Sequence, residues 1–317
     1  MQERPMPERI FIDRPLPPGF DELFGPDWEV VGPDESELPT CRAAIAGASL
    51  WPAERIAKGE MLQVISRSGI GFDTVDLDAA AAAGVVVCNT PDAPSISTAE
   101  HTLSLLMAAT KFTANNVARL RAGRQDFYAA HEGIELSGAT VGVVGHGRIG
   151  SRVARMCAAM DMRVLVCDPY VEVGEYEQVD FETILCESRV VTMHTPLTDE
   201  TRNLLDADAF ARMQDGVVIV NAARGGVIDT QALIDALDSG KVYAAGLDVT
   251  APEPLDPAHT LLHRDNVVVT PHIASATDKG RVRMYSGAIE NARQVLAGER
   301  PVDVVNPHVY ETLENRS

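Results

Sequence analysis

The sequence predicts an α/β protein of two doubly wound domains, each built around a parallel sheet. Short apolar runs alternate along most of the chain with helical stretches, which is the pattern of parallel β-α-β units. A length of 317 residues is sufficient for two separate hydrophobic cores. Hydrophobic residues make up 45% of the chain and charged residues 23%, so the composition is that of an ordinary globular protein.

Charge and cysteine content argue against several classes of function. The formal net charge of −19 repels phosphate backbones and anionic lipids, so neither nucleic acid nor a membrane is expected as a partner. Apolar runs stay well below the ~18 residues that a membrane-spanning helix needs, and MQERPMPERI lacks the apolar stretch of a secretion signal. The five cysteines form no C-x-x-C pair. We therefore expect a cytoplasmic protein without disulfide bonds or a metal site.

The first third of the chain predicts one parallel sheet. Buried strands are expected at residues 9–12, 43–47, 62–66 and 85–89. A helix over 78–84 separates the last two strands. A long helix is expected from Thr98 to Gly123, because Ser97 and Glu100 have the spacing of a capping box. Such a helix would connect the two domains.

The rest of the chain predicts a second sheet. Six strands are expected at residues 139–145, 163–168, 189–194, 216–222, 243–249 and 266–271, and helices at 149–160, 206–213 and 229–239. Six strands with five crossovers match a doubly wound sheet. A final helix over 278–298 is followed by a tail that is expected to return to the first domain. The predicted domains are therefore 1–98 with 289–317, and 99–288.

A glycine-rich loop joins the first strand of the second series to the helix after it. Gly145, Gly147 and Gly150 form the G-x-G-x-x-G pattern, which lets the backbone approach a pyrophosphate at a helix N-terminus. Asp168 ends the next strand, where a carboxylate is expected to accept hydrogen bonds from the adenosine ribose hydroxyls. Arg148 is close enough in sequence to reach a phosphate oxygen. The loop predicts NAD as cofactor; the alternative is a turn whose glycines serve packing only.

Polar residues follow the ends of four further strands, at the edge where parallel sheets bind ligands. These residues are His194 with Thr195 and Pro196, Arg224, Asp248, and His272, and Glu253 follows Asp248 by five positions. Each one alone could be an ordinary solvated loop residue. Together, an imidazole can move a proton, a carboxylate can orient it, and a guanidinium can bind a carboxylate. Beside a nicotinamide, this set suits hydride transfer at a carbon that bears a hydroxyl next to a carboxylate.

Seven motifs, in order along nearly the whole chain, resemble those of the D-isomer-specific 2-hydroxyacid dehydrogenases. They are VISRSGIGFDTVD, NTP with STAEH, VGHGRIG, HTPLTDETRNL, NAARGGVID, GLDVTAPEPLDP and TPHIASAT. This family contains phosphoglycerate dehydrogenases and glyoxylate/hydroxypyruvate reductases. The resemblance implies a Rossmann coenzyme domain and a flavodoxin-like substrate domain with a cleft between them.

The resemblance also implies roles for individual residues. Arg224 would bind substrate, Glu253 would be the partner of His272, and His272 would be the acid/base, while amides around Ser68 and Gly69 would hold the substrate carboxylate. Asp248 would contact the nicotinamide amide. The residues expected to bind the cofactor are Gly145, Gly147, Arg148, Ile149, Gly150, Asp168, His194, Thr195, Pro196, Thr201, Ala222, Ala223, Asp248 and Ala274.

The sequence thus predicts an NAD-dependent D-2-hydroxyacid dehydrogenase that acts on the CH-OH group of its donor. We expect it to reduce a small 2-keto acid such as glyoxylate or hydroxypyruvate. The alternatives are a phosphoglycerate-type or sugar-acid dehydrogenase of the same family, or a non-catalytic NAD(H)-sensing scaffold like the transcriptional corepressors of this fold. A formate-oxidising enzyme is disfavoured, because such enzymes of the family resemble a variant with Gln at the position of Glu253.

A homodimer is the expected assembly. The helix from Thr98 carries Leu103, Leu105, Leu106 and Met107, which is more apolar surface than one sheet face needs. The alternative is that this helix is fully buried within its own subunit. Two departures from the family pattern bear on the site. His146 stands where an apolar residue is commoner, and QDFYAAHEG (125–133) lacks the tryptophan frequent before the glycine loop.

Overall fold

The computed structural model describes residues 6–124 and 133–315, so the tryptophan-lacking segment at 125–132 lies outside the described residues. The strands are β1 (Glu8–Ile12), β2 (Trp28–Val31), β3 (Ala43–Ala46), β4 (Val64–Arg67), β5 (Val86–Cys88), β6 (Thr140–Val144), β7 (Arg163–Cys167), β8 (Glu177–Gln178), β9 (Val190–Met193), β10 (Val217–Asn221), β11 (Val242–Leu247) and β12 (Val267–Val269). The helices are α1 (Ala53–Lys58), α2 (Leu77–Ala83), α3 (Ser95–Thr110), α4 (Thr113–Arg121), α5 (Gly150–Ala158), α6 (Phe181–Glu187), α7 (Ala207–Arg212), α8 (Thr230–Asp238), α9 (Asp278–Leu296) and α10 (Val309–Glu314). None of these helices is both long and apolar enough to cross a membrane.

The chain divides into two compact units. The first runs up to Pro94 and resumes at Thr277, and the second is Ser95–Ala276. These divisions fall before the boundaries expected at 98 and 288. The second boundary lies at Thr277 because α9 belongs to the first unit over its whole length. Tyr285 and Ala292 of this helix pack into the same core as β1 and β3. Each unit is a parallel-sheet α/β domain, as predicted.

The sheet of the first unit has the order β2-β1-β3-β4-β5, and every pair of neighbouring strands is parallel. This is the flavodoxin-like order, so that prediction is confirmed. Four of the five strands lie where the apolar runs predicted them. β2 was missed because it is a short edge strand, and of its four residues only Trp28 is buried.

The C-terminal segment closes the free edge of this sheet at β5. The buried Asn306 side chain accepts a hydrogen bond from the Val87 amide (2.8 Å) and donates one to the Val85 carbonyl (3.0 Å). The amide of Val305 donates to the carbonyl of Val87 (2.8 Å). The tail therefore satisfies backbone groups that an edge strand would otherwise expose.

The sheet of the second unit has the order β12-β11-β10-β9-β6-β7-β8. Counted from β6, this is the Rossmann strand order 3-2-1-4-5-6 extended by a seventh strand, so the Rossmann prediction is confirmed. The seventh strand is β12, and the strand that the sequence analysis did not predict is β8, which consists of the exposed Glu177 and Gln178 and carries no apolar signal. Glycines allow close packing within this unit: at Gly246 a Cβ would lie 3.0 Å from the Leu105 carbonyl oxygen.

The long connecting helix is two helices, which corrects the single helix expected from Thr98 to Gly123. Phe112 adopts a left-handed conformation with φ of 51° between α3 and α4, and its ring packs edge-on against Tyr243 (5.5 Å). The expected capping box does not form, because α3 begins at Ser95 and Ser97 is buried inside it. Leu105 and Leu106 are buried in the core of their own unit.

Candidate active site

Parallel register places the ends of six neighbouring strands of the second sheet in one row. The paired residues of this strand-end row are Cys167, Val144, Met193, Asn221, Leu247 and Val269. Each polar residue predicted from the second strand series lies within a few positions after its member of the row. The structure therefore brings these chain segments, distant in sequence, to a single edge of the sheet.

Two of the three glycines in the loop after β6 are required by close packing. Gly145 has φ of +92°, and a Cβ there would lie 2.8 Å from the His194 carbonyl oxygen. A Cβ at Gly150 would lie 2.0 Å from the Gly145 carbonyl oxygen. Gly147 is different, because its Cβ position faces open space with no atom within 4 Å. Open space before the N-terminus of α5 fits a pyrophosphate, which the amides of the first turn would bind. Arg148 is exposed in this loop, and Ile149 is the N-cap of α5.

Asp168 is oriented by the backbone next to this loop. Its Oδ2 accepts a hydrogen bond from the His146 amide (2.7 Å), and its Oδ1 accepts one from the Tyr170 amide (2.9 Å). Each carboxylate oxygen can accept a second hydrogen bond, so both remain competent to bind ribose hydroxyls. The residues present therefore fit NAD.

A polar atom without a partner lies at the neighbouring strand end. Thr195 Oγ1 is buried and has no hydrogen-bond partner among residues 6–124 and 133–315. Buried polar atoms are nearly always hydrogen-bonded, so a bound group that supplies a partner would explain this one. Pro196 and Thr201 shape the loop that follows: Thr201 Oγ1 donates to the Pro196 carbonyl (2.6 Å).

His194 lies directly below the glycine loop. Its amide donates to the Val144 carbonyl (2.8 Å), and its Nε2 lies 3.0 Å from Thr192 Oγ1. Burial, together with the smaller effect of the nearby His146, lowers the pKa of His194 to about 3. His146 itself packs edge-on against Tyr176, and its buried Nε2 is unpartnered within the part of the chain that the structure describes. His194 is therefore neutral near neutral pH.

Asp248, after β11, is the most heavily hydrogen-bonded carboxylate of the site. Its Oδ1 accepts bonds from Thr270 Oγ1 (2.6 Å) and the Ile273 amide (2.9 Å), and its Oδ2 accepts one from the Ala274 amide (2.8 Å). His101 Nε2 lies 3.3 Å from Oδ1. Burial raises the pKa of Asp248, but the hydrogen bonds from His101, Thr270 and the two amides outweigh it and hold that pKa below its ordinary value. Asp248 is therefore ionised and fixed.

His101 and Thr270 were missed as site residues by sequence reasoning. His101 Nε2 also lies 3.0 Å from Thr270 Oγ1, so the two side chains and Asp248 form one network. The available signal was the STAEH motif, in which His101 is the last residue. That motif entered the resemblance without suggesting a contact 147 positions away along the chain.

His272 and Glu253 meet at the carboxyl edge of the second sheet. His272 Nδ1 lies 2.6 Å from Glu253 Oε1, and both side chains are partly exposed. The His272 backbone is left-handed, with φ of 52°, and its amide donates to the Asp248 carbonyl (2.8 Å). Such a conformation is uncommon outside glycine and clusters at functional sites. Nε2 is the ring nitrogen left for a ligand.

Arg224 begins the loop after β10. Asn221 Nδ2 donates to the Arg224 carbonyl (2.8 Å), and the Arg224 guanidinium donates to the Ala223 carbonyl (2.7 Å). A Cβ at Gly225 would lie 2.0 Å from the Thr250 carbonyl oxygen, so this loop packs tightly on the one that carries Glu253. Ala222, at the start of the same loop, is buried.

The loop after β4 in the first unit corrects one expected detail. The amide of Ser68 donates to the Ala46 carbonyl (3.0 Å), so it is already used and is not free for a carboxylate. The amides of Gly69 and Ile70 have no acceptor among the described residues. A Cβ at Gly69 would meet nothing within 4 Å, so the backbone is open on the side where a side chain would project from this residue.

Replacing His194 by Gln should make the protein less sensitive to acid. The pKa of His194 is about 3 in the folded chain against a usual 6.5, so below pH 6.5 only the unfolded chain binds this proton. The free energy of unfolding therefore falls as the pH drops from 7 to 5. In His194→Gln the fall should be smaller by about 1 to 2 kcal/mol, measured by denaturant unfolding at both pH values. His308→Gln, on the exposed C-terminal segment, is the matched control, and equal falls in wild type and His194→Gln would contradict the prediction.

The second unit matches a known protein family. Residues 103–274 match the family model described as D-isomer specific 2-hydroxyacid dehydrogenase, NAD binding domain. The cofactor expected from the glycine loop, NAD, is the one that this family domain binds, so that prediction is confirmed.

Whole-chain relatives extend the match. The chain is 44% identical over 237 residues to a D-3-phosphoglycerate dehydrogenase from Archaeoglobus fulgidus, covering 73% of this chain and 45% of that protein. It is 40% identical over 250 residues to a hydroxypyruvate reductase from Thermotoga maritima, covering 78% of this chain and 81% of that protein. The crystal structure of the TT0316 protein from Thermus thermophilus superposes with a TM-score of 0.87 at 36% identity, covering 94% of this chain and 99% of that one.

The matched lengths differ between these relatives. The chain spans about half the length of the phosphoglycerate dehydrogenases it matches. It covers most of the hydroxypyruvate reductase. The family model, the similarity of the whole chain and the two parallel sheets agree, and the chain belongs to the D-isomer specific 2-hydroxyacid dehydrogenase family.

Proposed function

We propose that the protein transfers a hydride between NAD(H) and C2 of a D-2-hydroxy acid or its 2-keto acid, and that it works as a reductase of small 2-keto acids such as glyoxylate or hydroxypyruvate. The observation that carries this proposal is the 2.6 Å contact between His272 Nδ1 and Glu253 Oε1 at the edge of an NAD-binding sheet. An oriented imidazole at that edge is what proton transfer to a carbonyl oxygen requires.

The proposed mechanism assigns one task to each side chain. His272 Nε2 donates a proton to the keto oxygen as the substrate is reduced, and Glu253 holds the ring by its other nitrogen. Arg224 binds the substrate carboxylate and polarises the carbonyl with its planar fork. When bound, NADH supplies the hydride. In the first unit, the amides of Gly69 and Ile70 are proposed to bind a substrate carboxylate.

Cofactor binding is proposed to use the loop after β6 and the strand ends beside it. The amides at the start of α5 would hold the pyrophosphate, and Asp168 would hold the ribose hydroxyls. Thr195, with its unpartnered hydroxyl, would hydrogen-bond the cofactor. Asp248, fixed by His101 and Thr270, would accept a hydrogen bond from the nicotinamide amide. The remaining expected residues, Arg148, Ile149, His194, Pro196, Thr201, Ala222, Ala223 and Ala274, would line the same surface.

A phosphoglycerate-type activity is the second candidate. Several of the relatives with 41 to 44% identity are named D-3-phosphoglycerate dehydrogenase, which favours an acid carrying a phosphate. A non-catalytic NAD(H)-sensing scaffold predicts binding of NADH without turnover. A panel of 2-keto acids, followed by NADH oxidation, separates the three: the preferred acid identifies the reductase, and complete inactivity supports the scaffold.

A homodimer in the cytoplasm is proposed for the assembly. Leu105 and Leu106, which suggested it, are buried within their own unit, but Met107, Val117 and Leu120 on α3 and α4 are exposed and would be covered by a partner. Light scattering should give about twice the chain mass of 34.1 kDa. A mass equal to one chain at micromolar concentration would exclude the dimer.

We expect NADH to be preferred over NADPH. A 2′-phosphate would face the Asp168 carboxylate, and the next residues, Pro169 and Tyr170, offer no cation to bind it. Replacing Asp168 by Ser should reduce the ratio of kcat/KM for NADH to that for NADPH by about 100-fold, because repulsion of this kind amounts to a few kcal/mol. Asp208→Ser, an exposed position on α7, is the control. Equal kcat/KM with both cofactors in the wild type would show the assignment of Asp168 to be wrong.

Substitutions of the three polar side chains should separate their tasks. His272→Ala should lower kcat by about 10²- to 10⁴-fold, the usual effect of losing a positioned acid. Arg224→Ala should mainly raise KM, and Arg224→Lys should restore little, because an ammonium lacks the planar fork. Glu253→Gln should lower kcat less than His272→Ala does. The measurements are steady-state kinetics with the best keto acid.

NADH binding, followed by fluorescence titration, should survive all three changes because the glycine loop and Asp168 are untouched. His308→Ala serves as the histidine control. A His272→Ala enzyme that keeps near wild-type kcat would overturn the proposed mechanism.

A further inference from the structure

Arg14 stands at the carboxyl edge of the first sheet without an acidic partner. It follows β1 by two residues, and no carboxylate of residues 6–124 or 133–315 lies within 4 Å of its guanidinium. Other arginines of this acidic chain, such as Arg9, Arg42 and Arg163, form ion pairs. Arg14 instead donates from Nη2 to Ser68 Oγ (2.7 Å). A partly buried guanidinium that lacks a counter-ion can form charge-assisted hydrogen bonds with an anion.

The position of this guanidinium is built by its neighbours. Both carboxylate oxygens of the buried Asp13 accept a hydrogen bond from the Gly47 amide (2.8 and 2.9 Å), and Oδ2 also accepts one from Trp51 Nε1 (3.2 Å). These bonds hold the end of β3 against the end of β1. A Cβ at Gly47 would lie 2.6 Å from Arg14 Cζ, so the guanidinium occupies the space that the missing side chain leaves. The Tyr285 ring supports it from another side, at 5.9 Å.

The surroundings of Arg14 are rich in hydrogen-bond donors. The unused amides of Gly69 and Ile70 belong to the loop that begins at Ser68, the residue that Arg14 contacts. A second guanidinium, that of the buried Arg67, donates to the Ala46 carbonyl (3.0 Å) and to the Gly71 carbonyl (2.8 Å) around the same loop. Two arginine side chains thus contact, and two amides without an acceptor among the described residues belong to, one loop of a chain whose net charge is −19.

We propose that Arg14 binds a second anionic group of the substrate, a phosphate or carboxylate carried beyond the keto carbon. The inference rests on the proposed function, in which the amides of Gly69 and Ile70 take the first carboxylate. A planar guanidinium pairs with either anion through two parallel hydrogen bonds. Ser68 Oγ sets the orientation of the fork. Within the activity proposed above, a 2-keto acid that carries a second anionic group is then expected to be reduced with a higher kcat/KM than its monoanionic counterpart.

Two matched pairs of keto acids test this assignment by kcat/KM with NADH. Phosphohydroxypyruvate is compared with hydroxypyruvate for a distal phosphate, and 2-oxoglutarate with 2-oxopentanoate for a distal carboxylate. The wild type should prefer the dianion of at least one pair. Arg14→Gln should lower that preference by about 10- to 100-fold, the usual worth of a hydrogen bond to a charged group. Arg14→Lys should restore part of it, and Gly47→Ala should lower it by displacing the guanidinium without removing its charge.

Arg42→Gln is the control for net charge, because it removes one positive charge from an arginine paired with Glu8 (2.6 Å). It should leave the preference unchanged. A fall of equal size for both members of a pair in Arg14→Gln would show that Arg14 only positions the Ser68 loop. A wild type that reduces keto acids without preferring a dianion would also overturn the proposal.

Binding measured without turnover separates this inference from the proposed function. If no keto acid is reduced, the proposed function fails. Calorimetric titration with 3-phosphoglycerate and with glycerate still tests whether Arg14 binds an anionic group. Tighter binding of 3-phosphoglycerate in the wild type, lost in Arg14→Gln, supports the anion site. Equal binding of the two acids contradicts it.

Discussion

Parallel strand register is the constraint on which the rest of the second unit depends. Cys167, Val144, Met193, Asn221, Leu247 and Val269 are paired side by side, so six loops leave the sheet from the same row. Because side chains of a strand alternate between two faces, a slip of one residue would reverse which of them enter the core. The buried valines and isoleucines of these strands therefore fix the height at which each polar residue appears. The chemistry at the edge is positioned by the core below it.

Within that edge, Asp248 connects parts of the site that have different tasks. Its carboxylate is held by the Thr270 hydroxyl and the amides of Ile273 and Ala274, while its own carbonyl accepts the His272 amide. The same residue thus sets the path of the chain that carries the proposed acid and presents a fixed negative charge beside it. His101 contacts Asp248 from α3, so the first helix of the unit supports the end of β11.

The net charge of this protein does not predict which small ligands its surface can bind. A charge of −19 disfavours polyanionic partners at long range, yet the ends of β1, β3 and β4 carry Arg14, Arg67 and free amides. Screening limits the reach of distant charges to roughly 8 to 10 Å at physiological salt, so local donors decide what binds at short range. The Asp13 carboxylate accepts hydrogen bonds from the Gly47 amide and Trp51 Nε1 and forms no ion pair with the Arg14 guanidinium.

The sequence by itself determined the fold class, the NAD-binding loop and the residues at the strand ends, because apolar periodicity and glycine spacing are local properties of the chain. It did not reveal the edge strands β2 and β8, whose residues are largely exposed, or the break at Phe112, where a ring contact with Tyr243 ends a helix that periodicity would continue. It placed the second domain boundary inside α9, since only packing against the first sheet assigns that helix. Only the tertiary structure revealed the hydrogen-bond partners of Asp248 and the surroundings of the Arg14 guanidinium. Their contacts join residues as far apart in the sequence as His101 and Asp248, or Arg14 and Tyr285. Contacts of this kind depend on the order and register of the strands in each sheet, and no local pattern of the chain specifies them.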